Sequence, residues 1–183
     1  MILTISAYGS PVLRKETVDI DKEYPQLQEL IKNMFDTMTF AEGVGLAAPQ
    51  VGLPIRLFVI DLSPLADDKP EYKNYKKVFI NPEILEFSGN DVSFEEGCLS
   101  IPNVHEKVVR KDKVLINYFD ENFTEHEETF SGYPARVIQH EYDHLEGNLF
   151  IDKISAIRKQ LIKGKLNNIT SGRANCKYKI KTK

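Results

Sequence analysis

The feature that most limits how this chain can fold is the placement of its β-forming residues. Between residues 54 and 130, short runs rich in Val, Ile, Phe and Tyr (RLFVI, KKVFINPEILEF, VHEKVVR, VLINYF, EHEETF) follow one another, with turn residues such as Ser88-Gly89-Asn90 and Asp120-Glu121-Asn122 between them. β-Branched and aromatic side chains suit a pleated, half-buried surface, and the intervening turn formers suit hairpins. Helical periodicity appears only on either side of this block. Strands grouped together, rather than alternating with helices, imply an α+β fold with antiparallel sheets and not a doubly wound parallel sheet.

Before the block, Leu27, Leu30, Ile31, Met34, Phe35 and Met38 recur at steps of three and four. One apolar face results, so a core-packing helix is expected over 24–40, with Pro25 in its first turn and Gly43 just past its end. A second helix is expected over 134–147, opened by Pro134 and closed by Gly147. A third is expected over 152–166, with Asp152 as N-cap and Ile154, Ile157, Leu161 and Ile162 as its apolar stripe.

A length of 183 residues suits one core. The expected organisation is a single domain over 1–166, third helix included, and a basic tail over 167–183. The body is acidic, whereas residues 153–183 hold ten Lys or Arg and no Asp or Glu. Such a segment is either a solvated face or an electrostatic handle for RNA. No run of about 18 apolar residues and no basic-then-apolar leader is present, so neither a membrane span nor a signal peptide is expected. Two cysteines, Cys98 and Cys176, are too few for a disulfide scaffold and fit a reducing cytoplasm. DNA and membranes are not expected partners.

Within the second helix the sequence reads Gln139-His140-Glu141-Tyr142-Asp143-His144. The HExxH spacing puts two imidazoles one turn apart on one face, able to bind a divalent ion, with a carboxylate beside them placed to serve as general base. The third ligand decides the class of chemistry. Gly147 falls where a longer protease pattern wants its Gly, but Phe150 stands at the final His position, and no His, Asp or Glu follows Asp152. The ligand therefore lies upstream, among His105, His126 and Cys98. The last sits in Glu96-Gly97-Cys98-Leu99-Ser100-Ile101-Pro102, and a thiolate is a strong ligand for Zn or Fe(II). A third segment, Gly43-Val44-Gly45-Leu46-Ala47-Ala48-Pro49-Gln50-Val51-Gly52, gathers three glycines around one amide. Glycine there permits close approach of another backbone, and the segment lacks the Gly-Lys-Ser/Thr ending of a phosphate loop.

Together and in this order, GVGLAAPQ, EGCLS and QHEYDH resemble the peptide deformylases, which remove the N-terminal formyl group from newly made bacterial proteins. The early Gly9-Ser10-Pro11-Val12-Leu13-Arg14 and the later Leu149-Phe150-Ile151-Asp152 extend the resemblance to about residues 5–155. It implies antiparallel sheets around a central metal-binding helix, flanked by an N-terminal and a C-terminal helix. It assigns Cys98, His140 and His144 as ligands of one divalent metal, with Fe2+ as the physiological ion and Zn2+, Ni2+ or Co2+ compatible with the same ligands. Glu141 becomes the proton carrier, and Gln50 with the backbone N–H of Leu99 the donors to the formyl oxygen. The substrate is an N-formylmethionyl nascent peptide, bound extended along residues 43–45 (Gly43, Val44, Gly45) and along the strand after EGCLS, of which Gly97 is a neighbour. Val44, Glu96, Tyr133, Val137 and the His140 ring would line the methionine pocket, with Arg136 nearby. The basic C-terminal segment is then a handle for the ribosome. Two other readings remain to be weighed: a metalloprotease cutting internal bonds, and a ribosome-associated binding protein on an inactive deformylase scaffold.

Overall fold

The computed structural model describes residues 1–182; Lys183, the last of the ten basic residues counted above, lies outside the described residues. The strands are β1 (Ile5–Ser6), β2 (Gly45–Ala47), β3 (Leu57–Asp61), β4 (Lys76–Cys98), β5 (Ile101–Phe119), β6 (Glu125–Ser131) and β7 (Ile180–Lys181). The helices are α1 (Leu27–Phe40), α2 (Tyr133–Leu145) and α3 (Ala156–Thr170). Strands β2 to β6 form one antiparallel sheet in chain order, as expected of an α+β fold. The second sheet departs from that expectation, since β1 and β7 pair in parallel.

Alternation along β3 explains why the sheet is covered on both faces. Phe58 and Ile60 pack with Phe79, Val114, Ile116 and Phe130 against Ala135 and Ile138 of α2. Leu57 and Val59 pack from the opposite face with Ile31, Met34 and Met38 of α1. Phe58 and Phe79 are fully buried and stacked with centroids 4.6 Å apart, each contributing about 1.5–3 kcal/mol from burial. A third cluster sets Ile162, Leu166 and Ile169 of α3 against Val104 and Val108 of β5 and against Phe150 and Ile151.

Several expected boundaries shift, each for a local reason. Gln26 adopts a left-handed conformation (φ 55°), so α1 begins at Leu27 and Pro25 lies in the preceding turn rather than in the helix. Ser88-Gly89-Asn90 does not close a hairpin. Strand β4 runs through it as a bulge, with the pairing shifting between Ser88–Lys113 and Asp91–Lys111. Gly89 takes the positive φ (77°) that such a bulge accommodates, and Asn90 N–H donates to Asp112 Oδ1 at 2.9 Å. The two runs VHEKVVR and VLINYF accordingly form one strand, β5. The β4–β5 hairpin turns instead at Leu99-Ser100, where Cys98 pairs with Ile101, so the EGCLS motif is a hairpin tip. Asp152 is not the N-cap of α3. It belongs to a short 3-10 turn, Phe150–Lys153, while Ser155 caps α3 by accepting from Arg158 N–H at 3.3 Å. Of the expected stripe Ile154 and Ile162 are buried, whereas Ile157 and Leu161 are 75% and 67% exposed, because the face of α3 that packs inward runs through Ile162, Leu166 and Ile169 at steps of four and three.

Candidate metal centre

Helix α2 is buried almost all round, and its buried set includes Arg136, Gln139, His140, Glu141 and His144. Charged side chains are seldom buried unless they are paired or functional; here Arg136 pairs with Glu96, and His140 and His144 meet Cys98 at the hairpin tip. One ligand atom from each of Cys98, His140 and His144 lies within 4.8 Å of the other two. Cys98 Sγ and His144 Nε2 are 3.3 Å apart. The other two candidates for third ligand do not join them. His126 sits at the far hairpin, 2.9 Å from Asp120 Oδ2 and stacked on Tyr118. His105 is exposed on β5, opposite Gly97. Phe150, standing where a downstream third His would fall, stacks on the His140 ring with centroids 5.9 Å apart.

The orientation of His140 is set from outside the cluster. Its Nδ1 lies 2.9 Å from Glu96 Oε2, which leaves Nε2 to face the cluster. Glu96 is itself held by Arg110 Nε and Nη2 at 2.6 and 3.0 Å and by Arg136 Nη1 at 2.7 Å. Arg110 Nη1 reaches on to Asp143 at 2.7 Å. Burial alone would raise the Glu96 carboxyl, but hydrogen bonds from His140 and Arg110 outweigh it and hold the group far below the usual carboxylate range. Two imidazoles in one buried cluster cannot both be charged at small cost. Burial and the neighbouring His140 hold His144 well below its ordinary value, whereas His140 is raised despite burial by contact with Cys98 and Glu96. Burial pushes Glu141 up to about 7.

A thiolate with two imidazoles is the donor set of a divalent transition-metal site. The residues fit such an ion: Glu96 fixes one imidazole from behind, and Glu141 Oε2 is buried without a hydrogen-bond partner among the described residues. On the opposite wall, Gln50 Oε1 accepts from Ala47 N–H at 2.8 Å. That bond turns the Gln50 Nε2 group towards Cys98 Sγ (3.5 Å) and Ser100 Oγ (3.2 Å). Cys98, His140, Glu141 and Gln50 line a cavity of about 730 Å³, together with Gly43, Val44, Gly45, Glu96, Gly97, Leu99, Tyr133 and Val137.

Four participants escaped the sequence reading. Arg110 lies on the inward face of β5 with Val104, Glu106 and Val108, so a charge in an otherwise inward-facing alternation was its available signal. Asp143, inside the HExxH run, was given no role. Ser100 is fully buried beside Gln50. Tyr178 lines the same cavity and donates its hydroxyl to Leu99 C=O at 2.8 Å. No local pattern marks it.

The sequence model described as Polypeptide deformylase matches residues 2–160. The peptide deformylase of Christiangramia forsetii is 57% identical over 99% of this chain and 96% of its own length, and that of Flavobacterium johnsoniae is 54% identical over 99% and 96%. The fold is similar to a crystal structure of a peptide deformylase from Legionella pneumophila, with a TM-score of 0.82 and 38% identity over 96% of this chain and 100% of that one. With the family's three motifs meeting at one Cys-His-His cluster, the chain belongs to the polypeptide deformylase family.

Proposed function

We propose that this chain removes the formyl group from the N-terminal formylmethionine of newly made polypeptides, releasing formate, with Cys98, His140 and His144 holding one divalent metal. The observation that carries the reading is the convergence of those three ligand atoms beside a cavity that Cys98, His140 and the buried Glu141 line. A bound metal supplies Lewis acidity to water and to a carbonyl oxygen. Fe2+ is the proposed physiological ion, and Zn2+, Ni2+ and Co2+ suit the same ligands.

The chain's own residues divide the remaining work. Glu141 takes a proton from the attacking water and delivers it to the leaving amine. The Gln50 amide and the Leu99 N–H donate to the formyl oxygen as charge develops on it, and such donors act because they are in place beforehand. The Gln50 side chain meets that requirement through its bond to Ala47 N–H. The peptide lies extended beside Gly43, Val44 and Gly45 and along the hairpin at Gly97. Its methionine side chain enters among Val44, Glu96, Tyr133, Val137 and the His140 ring. Both carboxylate oxygens of Glu96 are committed to Arg110, Arg136 and His140, so Glu96 offers the pocket its aliphatic stem rather than a charge. We place the catalytic unit over 1–166 and the basic extension over 167–183, with α3 running across that boundary to Thr170.

Among the described residues no helix is long and apolar enough to cross a membrane, and we place the enzyme in the cytoplasm, where nascent chains emerge. The exposed Lys159, Lys163 and Lys165 of α3 would give it a salt-sensitive hold on ribosomal RNA. Reversing these three charges should abolish that hold while leaving turnover on a short peptide unchanged; association unaffected by the reversal would remove α3 as its cause. The reaction itself is tested with two peptides, formyl-Met-Ala-Ser and an internally scissile peptide with a blocked N-terminus. A deformylase acts on the first alone, a metalloprotease on the second, and a binding scaffold on neither.

A further inference from the structure

The two ends of the chain meet at the hairpin tip that carries Cys98. In the parallel pair of β1 and β7, Ile5 N–H donates to Lys179 C=O at 2.9 Å and Ala7 N–H to Lys181 C=O at 2.7 Å. From this small sheet two bonds reach the two residues of the turn. Tyr8 N–H donates to Ser100 C=O at 2.7 Å, and the Tyr178 hydroxyl donates to Leu99 C=O at 2.8 Å. The strap before β7 is fixed at both rims of the cavity. Asn103 Nδ2 donates to Asn175 C=O at 2.8 Å on the β5 side, and Lys177 Nζ meets Glu42 Oε1 at 2.9 Å on the side of the glycine segment. Residues 175–178 line the cavity, and they lie beyond the 2–160 span that the family's sequence model matches.

We propose that Tyr178 is a positioning residue for deformylation, holding the hairpin tip in the conformation that presents Cys98 Sγ and the Leu99 N–H to the reaction. The proposal rests on the function inferred above. Its physical basis is the shortness of the connection: only Leu99 and Ser100 separate the paired residues Cys98 and Ile101. In so short a closure, rotating the peptide plane that bears Leu99 C=O must be compensated at the preceding plane, which bears Leu99 N–H and adjoins Cys98. The hydroxyl on Leu99 C=O therefore restrains both planes.

The test is Tyr178→Phe, which keeps the ring and its packing and removes one oxygen. Turnover of formyl-Met-Ala-Ser should fall about tenfold in kcat, the size of one lost hydrogen bond, with KM within about twofold of wild type. Metal content should stay at the wild-type value, and the thermal midpoint should fall by no more than the roughly 2–4 °C that one hydrogen bond is worth in a chain of this length. Amide hydrogen exchange at residues 98–101, which needs no substrate, should become faster. An unchanged kcat overturns the proposal whatever the exchange shows. So does a rise in KM alone, which would make Tyr178 a substrate contact, or a loss of activity that disappears when kcat is taken per folded, metal-loaded chain. If the wild type releases no formate, the proposed function has failed, and the exchange comparison alone decides whether Tyr178 orders the tip: tip amides that exchange no faster in Tyr178→Phe overturn that as well.

Discussion

The carboxylate of Glu141 occupies the space that a side chain at residue 45 would need: a Cβ placed on Gly45 would lie 2.8 Å from Glu141 Cδ and 2.9 Å from Glu141 Cγ. The glycine of β2 is thus required by the helix facing it. The GVG segment and the HExxH motif, nearly a hundred residues apart in the chain, are fitted to each other in the wall of one cavity.

Gly45→Ala should displace Glu141 from its seat. A misplacement of about 1 Å at a reacting group costs on the order of 100-fold in turnover, and overpacking costs about 1–3 kcal/mol of stability. The expected protein is folded, metal-loaded and slowed by about that factor, as read from kcat and metal content on one sample. Wild-type turnover would mean that Glu141 has other room to work from.

Glu96→Gln should be costly well beyond the loss of one hydrogen bond. The substitution leaves Arg110 and Arg136 facing a neutral amide at a site only 6% exposed, and breaking a buried ion pair in this way costs about 3–5 kcal/mol. It also loosens the group behind His140, for which a loss of about 10–100-fold in metal affinity is usual. Denaturant melts and metal titration check the two effects separately.

Glu141→Gln and Gln50→Ala should separate proton transfer from oxyanion stabilisation. Both variants should keep their metal. Gln50→Ala should lose about 100-fold or more in kcat, while Glu141→Gln should be nearly inactive, as expected when the general base is removed. Near-normal rates in either variant would remove that residue from its role.

Arg14 joins the N-terminal region to the turn before α3, with Nη1 2.5 Å and Nη2 3.1 Å from the Asp152 carboxylate. Burial acts to raise Asp152, but hydrogen bonds from Arg14 and from Leu149 N–H prevail and hold it below its ordinary value. A carboxylate depressed in the folded state contributes stability above its unfolded pKa, about 4, and loses it as pH falls through the folded value. Asp152→Asn should therefore lower the thermal midpoint by a constant amount above about pH 5 and by progressively less below it. The pair is partly exposed, so the difference should be about 1 kcal/mol or less. A difference that widened towards acid would contradict the assignment.

The centre of the site was legible because its signals are local. Two histidines one turn apart with a glutamate between them state their geometry outright, and the β-rich block of residues 54–130 states the fold class. Cys98 was one candidate among three until the neighbouring motifs singled it out, since nothing in the spacing of a hairpin tip points towards a helix more than 40 residues away. The Ser88-Gly89-Asn90 run misled because the same residues serve a bulge and a turn, and only the partner strand decides between them. Arg110 is marked only by a charge on the inward face of β5, and Tyr178 by nothing, for a related reason. Each acts through a partner distant in sequence, Glu96 in one case and Leu99 in the other. The C-terminal segment reads as a charged appendage by composition, yet Ile180 and Lys181 pair with Ile5 and Ser6, a contact between opposite ends of the chain that no local pattern encodes.

The most direct measurement is formate release from formyl-Met-Ala-Ser by anaerobically purified protein, with metal content determined on the same sample and Cys98→Ser run beside it. The account predicts formate in proportion to bound metal for the wild type, and joint loss of metal and formate in the variant. A wild type that holds one metal per chain and releases no formate would contradict it.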